Sequence, residues 1–116
     1  MDNLFRVVPT CDWEEALATG RVPRCRSDQR AGHVHLSERN AVETIANAYF
    51  DAAEAPLALE IDRSMIEAQL EWDEPTGAKP WRQAQLNLPN VLTEHVLRIH
   101  PLLVVNRDGR DRFVMS

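Results

Sequence analysis

The sequence predicts an α+β domain of five or six strands, two main helices and one short helix, and three observations carry that prediction. The segments "LFRVV" (residues 4 to 8), "LALEID" (57 to 62) and "HVLRIHPLLVV" (95 to 105) read as strands. "CDWEEALATG" and the run from Val42 to Phe50 instead repeat apolar residues at helical spacing. No internal repeat, low-complexity tract or linker divides the chain, so its 116 residues are expected to form a single domain, 1–116, with one core.

Each element has its own signals. Pro9 and Thr10 end the first strand. In the helix that follows, Asp12 and Glu15 have the spacing of a capping pair, Trp13, Ala16 and Leu17 share a face, and Gly20 supplies the stop. Residues 21 to 30 read as a loop. "HVHL" alternates, placing Val34 and Leu36 on one side and His33 and His35 on the other. Ser37 is expected to cap the second helix, whose apolar positions are Val42, Ile45, Ala46, Tyr49 and Phe50. Pro56 introduces the strand of Leu57, Leu59 and Ile61, and Asp62 caps a short helix through "RSMIEAQL". "EW" at residues 71 and 72 begins another strand. Residues 73 to 89, with three prolines and a glycine, read mostly as loop, a length of connection that is often functional. Asp108-Gly109 turns the last β run into "RFVM".

Composition narrows the function classes. The formal net charge is −5, with 18 acids against 13 bases, which argues against generic nucleic-acid binding because phosphate backbones need a basic footprint. No apolar run approaches the ~20 residues that span a bilayer. "MDNLFRVVPTCDW" has neither the form of a signal peptide nor that of a membrane anchor, so the expected compartment is the cytoplasm. Cys11 and Cys25 lack a CxxC spacing and are expected to be reduced. Arg21, Arg24, Arg26 and Arg30 fall within ten residues with Asp28 as the only acid among them. They form either a local anion-binding patch or solvated surface in a chain whose arginine bias reflects genomic base composition.

The histidine pair admits three readings. On alternate residues of a strand, two imidazoles can converge on one ion, but a third ligand is needed and no spacing fixes His95 or His100 in that role. The pair can equally be structural, hydrogen-bonded to backbone or to a helix end. The third reading is a ligand-binding cleft. Trp72 and Trp81 flank the long loop, where an indole either stacks on a base or packs on the sheet. Trp13 belongs to the core by its helical spacing, and Glu60 faces away from Leu59 and Ile61 as a candidate acid. No Gly-rich phosphate loop and no Ser-His-Asp spacing occurs.

"AGHVHLS", then "LALEID", "LEW", "VLRIHPL" and a closing Gly-containing hairpin resemble, in that order and along nearly the whole chain, the family called domain of unknown function 952. The His-Leu-Ser of residues 35 to 37 is the sharpest element, and His35 matches the family position. The order "HVHLS…LEID" is also similar to the core of RNA 2′-phosphotransferases. That likeness implies a small ADP-ribosyltransferase-like domain, in which two packed sheets pinch a cleft for an NAD-type nucleotide. It further implies a histidine beside Gly-Thr in the first strand, where Arg6, Val7 and Val8 stand. The resemblance to the domain-952 family implies a Pro-His-x-Tyr-Gly motif in the long loop, where Trp81 takes the histidine's place.

The resulting expectation is a domain that binds NAD or ADP-ribose in its cleft and whose transferase chemistry lacks those histidines. Arg6 or Arg24 would hold phosphates, Trp81 would stack on a base, and His35, with His33 and Ser37 beside it, would hydrogen-bond a ribose or diphosphate. No resident metal is expected. The alternatives are a non-catalytic module that binds a protein partner and, third, a metal site on the His33-x-His35 pair.

Overall fold

In the first strand, β1 (Leu4–Val8), apolar side chains leave by both faces, because helices cover the sheet on either side of it. The computed structural model describes residues 2–25, 33–77 and 80–115. β1 leads into α1 (Thr10–Thr19), followed by β2 (Val34–Ser37), α2 (Val42–Tyr49), β3 (Leu57–Ile61), α3 (Arg63–Ile66), β4 (Leu70–Asp73), β5 (Gln83–Leu86), β6 (Val96–Arg107) and β7 (Arg110–Met115). The strands form one sheet in the order β4-β5-β2-β1-β3-β6-β7, and every neighbouring pair is antiparallel. The α+β class stands. The expectation of two packed sheets of five or six strands is corrected to a single sheet of seven.

The strand missing from the sequence reading is β5, inside the stretch expected to be loop. "QAQL" has period two, but Ala84 and Leu86 are its only apolar pair, a weak signal between prolines and a glycine. β6 carries two pairings in succession. It pairs with β3 as far as Pro101 and with β7 from Leu102 onward, so the residue without an N–H sits where the ladder changes partner. Asp108 and Gly109, at φ 53° and 76°, make the tight turn between β6 and β7.

Two clusters form the core. Leu4, Val8, Val34, Leu36, Leu59, Ile61, Ala84 and Leu86 on one face pack with Ala16 of α1 and Ile66 of α3. On the other face Phe5, Ala58, Leu102 and Phe113 pack against Val42 and Ala46 of α2. Asn47 of α2 holds both backbone groups of Phe113, at 2.8 and 3.0 Å, and Glu43 accepts from the Met115 N–H at 2.9 Å. These contacts satisfy part of the outer edge of β7. Among the described residues no helix is long and apolar enough to cross a membrane.

Local structure departs from expectation at two helix caps and on one helix face. α1 begins at Thr10, with Pro9 at its N-cap and no side-chain cap, so Asp12 lies inside the first turn. Ala16 is buried but Leu17 is 66% exposed, and the two do not share the core face. Ser37 ends β2 and is not a cap, because the chain passes through a 3₁₀ turn, residues 39–41, before α2 starts behind Ala41. Gly20 stops α1 at φ 82°, and Asp62 caps α3 by accepting from the Ser64 N–H at 3.0 Å, both as expected.

Candidate functional site

Strand alternation determines which groups share the second face. Val34 and Leu36 are buried in the larger core, so the His35 side chain projects on the opposite side, with Phe5 and Ser37 in register on neighbouring strands. His33 stands one residue before β2 in a bend and is half-buried. Further out, Gln85 lies opposite both His35 and Glu71, and Gln83 lies opposite both Ser37 and Asp73. The face therefore has two halves. Its β1-β3-β6-β7 half is apolar and covered by α2, while the β2-β5-β4 half carries a row of imidazole, hydroxyl, amide and carboxylate groups.

At the border between the halves, Tyr49, the last residue of α2, meets Trp81 edge-on, with ring centroids 6.5 Å apart and planes at 79°. Trp81 is half-buried, and its indole Nε1 is buried without a hydrogen-bond partner. Buried donors are normally satisfied, and among the described residues this N–H has no acceptor. Trp72 lies on the other side of the sheet, where Arg82 and Arg63 stack over its ring at 4.1 and 5.2 Å. The two indoles flanking the loop thus serve opposite faces.

Arg6 does not line this face. It alternates with Phe5, its side chain leaves with Leu4 and Val8, it is 7% exposed, and its Nη1 donates to the His35 carbonyl at 2.9 Å. The bond bridges a seam: β1 and β2 register at Phe5–Ser37 alone among the described residues, whereas β1 and β3 register over five pairs. Arg24 is half-buried in the segment that Val22 and Arg21 tie to Val91 and Leu92, next to the larger core. Arg26 and Arg30 of the expected basic patch lie outside the described residues. The structure thus brings His35, Ser37 and Trp81 to one face and sets Arg6 on the other.

A pocket of about 490 Å³ opens at the end of the seam, lined by Asn3, Leu4, Glu38, Arg39 and Glu43 among others, and by none of the six residues expected from sequence. Arg39 stacks over Phe5 at 5.7 Å. Beside it is a cluster that local pattern could not reveal: Glu60 accepts from Asn3 Nδ2 at 2.9 Å and meets His100 Nε2 at 2.7 Å, with the His100 ring against Phe5. The hydrogen bond from Asn3, then that from His100, holds the Glu60 carboxyl below its ordinary pKa. His95 is buried and accepts from the Leu92 N–H at 3.1 Å. Among the described residues no three His, Cys, Asp or Glu side chains gather as a metal-ligand group, and no disulfide joins Cys11 and Cys25.

Residues 7–94 match the family described as "Protein of unknown function (DUF952)". The chain belongs to this family. The DUF952 match covers about three quarters of the sequence and includes His35, Ser37 and Trp81. Among solved structures, the crystal structure of protein CC0527 from Caulobacter crescentus is similar, with a TM-score of 0.77 at 22% identity over 94% of this chain and 92% of that one. The solution structure of the same protein gives 0.72 at 24% identity, over 94% and 90%. At these identities the likeness is one of fold. No curated protein matches the chain.

Proposed function

We propose that this DUF952 domain binds a nucleotide of the NAD or ADP-ribose class on the His35 face, between α2 and the β2-β5-β4 half of the sheet. In this reading the arrangement is ADP-ribosyltransferase-like, with the sparsely paired β1-β2 seam separating two half-sheets. Trp81 is the observation that carries it: an aromatic ring beside the polar row, with a buried indole N–H that lacks an acceptor. A base or nicotinamide stacks on that ring, His35 hydrogen-bonds the ribose or diphosphate, and Arg39 at the neighbouring pocket supplies positive charge. Arg6 contributes from the opposite face by holding the His35 backbone. Binding without turnover is the proposed activity, because Arg6, Val7 and Val8 stand where the resemblance to transferases implies a histidine beside Gly-Thr, and Trp81 stands where the DUF952 loop motif implies a second histidine. The proposed setting is the cytoplasm.

Thermal melting with NAD and with ADP-ribose, on wild type and His35→Ala, tests this. A ligand at 100 times its dissociation constant adds about 2.7 kcal/mol of stability, a shift on the order of 10 °C for a chain this size. The expected result is a shift for wild type that shrinks in His35→Ala. No shift with either ligand at millimolar concentration favours the second reading, a protein-binding module. That reading is supported by Leu97, Ile99, Leu103 and Val104, which β6 leaves 40 to 53% exposed. Nicotinamide release would instead show that transferase chemistry is present.

A further inference from the structure

The polar row on the His35 face contains one side chain whose orientation is fixed by chemistry. Gln85 Nε2 donates to both carboxylate oxygens of Asp73, at 2.8 and 2.9 Å. A carboxylate only accepts, so the amide nitrogen has to face Asp73 and the amide cannot be flipped. The Gln85 Oε1 is thereby turned away from Asp73, and no described residue donates to it. His35 is the direct cross-strand partner of Gln85, which sets their Cβ atoms roughly 4.5–5.5 Å apart on one face. Beside the imidazole there is therefore an oriented acceptor, with neither arginine nor lysine in the row formed by β2, β5 and β4.

We propose that Gln85, locked by Asp73, reads a sugar hydroxyl of the ligand, so that this part of the face takes the ribose and rejects phosphate. The proposal rests on the nucleotide-binding reading above and deepens it. A sugar hydroxyl donates to Oε1, on the strand paired with that of His35. Phosphate oxygens, which only accept at neutral pH, would meet Oε1 lone pair to lone pair. The diphosphate belongs instead toward Arg39, at the seam end of the face.

Calorimetric titration with ADP-ribose tests this on wild type, Gln85→Met and Asp73→Asn, with far-ultraviolet circular dichroism confirming that each variant is folded. Met fills the volume of Gln without an acceptor, so Gln85→Met is expected to bind about ten-fold more weakly, the loss typical of one hydrogen bond. Asp73→Asn replaces a pure acceptor by a group that also donates, which frees the Gln85 amide to flip, and a smaller loss of about three-fold is expected. If Gln85→Met binds ADP-ribose as tightly as wild type, or more tightly, Oε1 faces no donor and the hydroxyl-reading role is overturned while nucleotide binding stands. If wild type itself does not bind ADP-ribose, both fall together.

Discussion

Glu60 on β3 and His100 on β6 meet at 2.7 Å, with both side chains less than one fifth exposed, and Asn3 donates to the second carboxylate oxygen at 2.9 Å. Arg98, opposite Glu60 in the ladder, adds positive potential. The cluster joins the N-terminal end of β1 to two strands from later in the chain, and Asn3 also accepts the Arg63 N–H at the start of α3.

This cluster gives stability a signed pH dependence. The folded Glu60 carboxyl titrates below its ordinary value, so the folded state binds fewer protons than the unfolded chain between those two values. The resulting stabilisation is fully present above the unfolded pKa of about 4.5 and is lost as pH falls through the folded one. Glu60→Gln is expected to cost about 1–3 kcal/mol at neutral pH, as its partners lose an ionised acceptor. The gap between wild type and variant should close in acid. Urea midpoints measured between pH 7 and pH 3 check this, and a gap that stays constant would assign the cost to packing.

Arg6 is a structural tie. Replacing it with Met keeps length and apolar stem but removes the donor to the His35 carbonyl across the sparsely paired seam. A loss of about 1–3 kcal/mol is expected from urea unfolding. Arg6→Lys should recover only part of it, because an ammonium does not reproduce the planar guanidinium fork.

Leu59 and Leu103 separate core from surface on the β3-β6-β7 side. Leu59 is fully buried on a strand flanked by β1 and β6, and Leu59→Ala is expected to cost about 2–5 kcal/mol. Leu103 is 51% exposed, and Leu103→Ala is expected to stay within about 0.5 kcal/mol. Denaturant midpoints of the two variants measure the contrast. A large loss at Leu103 would mean that the exposed apolar strip of β6 is covered in solution.

Much of the fold was legible because local periods are reinforced by turn chemistry. "LFRVV" alternates up to Pro9, "LALEI" runs from Pro56 to the Asp62 cap, and Asp108-Gly109 has the backbone freedom its hairpin needs. The orientation of His35 was legible for the same reason, since period two fixes which face opposes Val34 and Leu36. Register was not. That Arg6 and His35 project from opposite faces depends on the pairing of β1 with β2, which no local pattern records. Which half of the sheet α2 covers is likewise a tertiary choice, and its apolar contacts lie on the β1-β3-β6-β7 half while the β2-β5-β4 half carries the polar row. The Asn3-Glu60-His100 cluster joins residues 40 and 57 positions apart, beyond any motif spacing.

The opposite placement of Trp72 and Trp81 makes tryptophan fluorescence a reporter of which face is occupied. Trp72 carries the Arg63 and Arg82 guanidinium groups over its ring on the side of the larger core, whereas Trp81 lies against Tyr49 beside the polar row. Trp13 packs on the larger core as well. A nucleotide stacking on Trp81 removes that ring from water and supplies an acceptor to its N–H, so emission should change on adding ADP-ribose in wild type and in Trp72→Phe, and should stay flat in Trp81→Phe. Stacking on an aromatic side chain contributes about 1–3 kcal/mol per base, so Trp81→Ala should also weaken binding by roughly ten-fold or more. Emission that responds in Trp81→Phe but not in Trp72→Phe would move the ligand to the opposite face, next to Arg82 and away from His35.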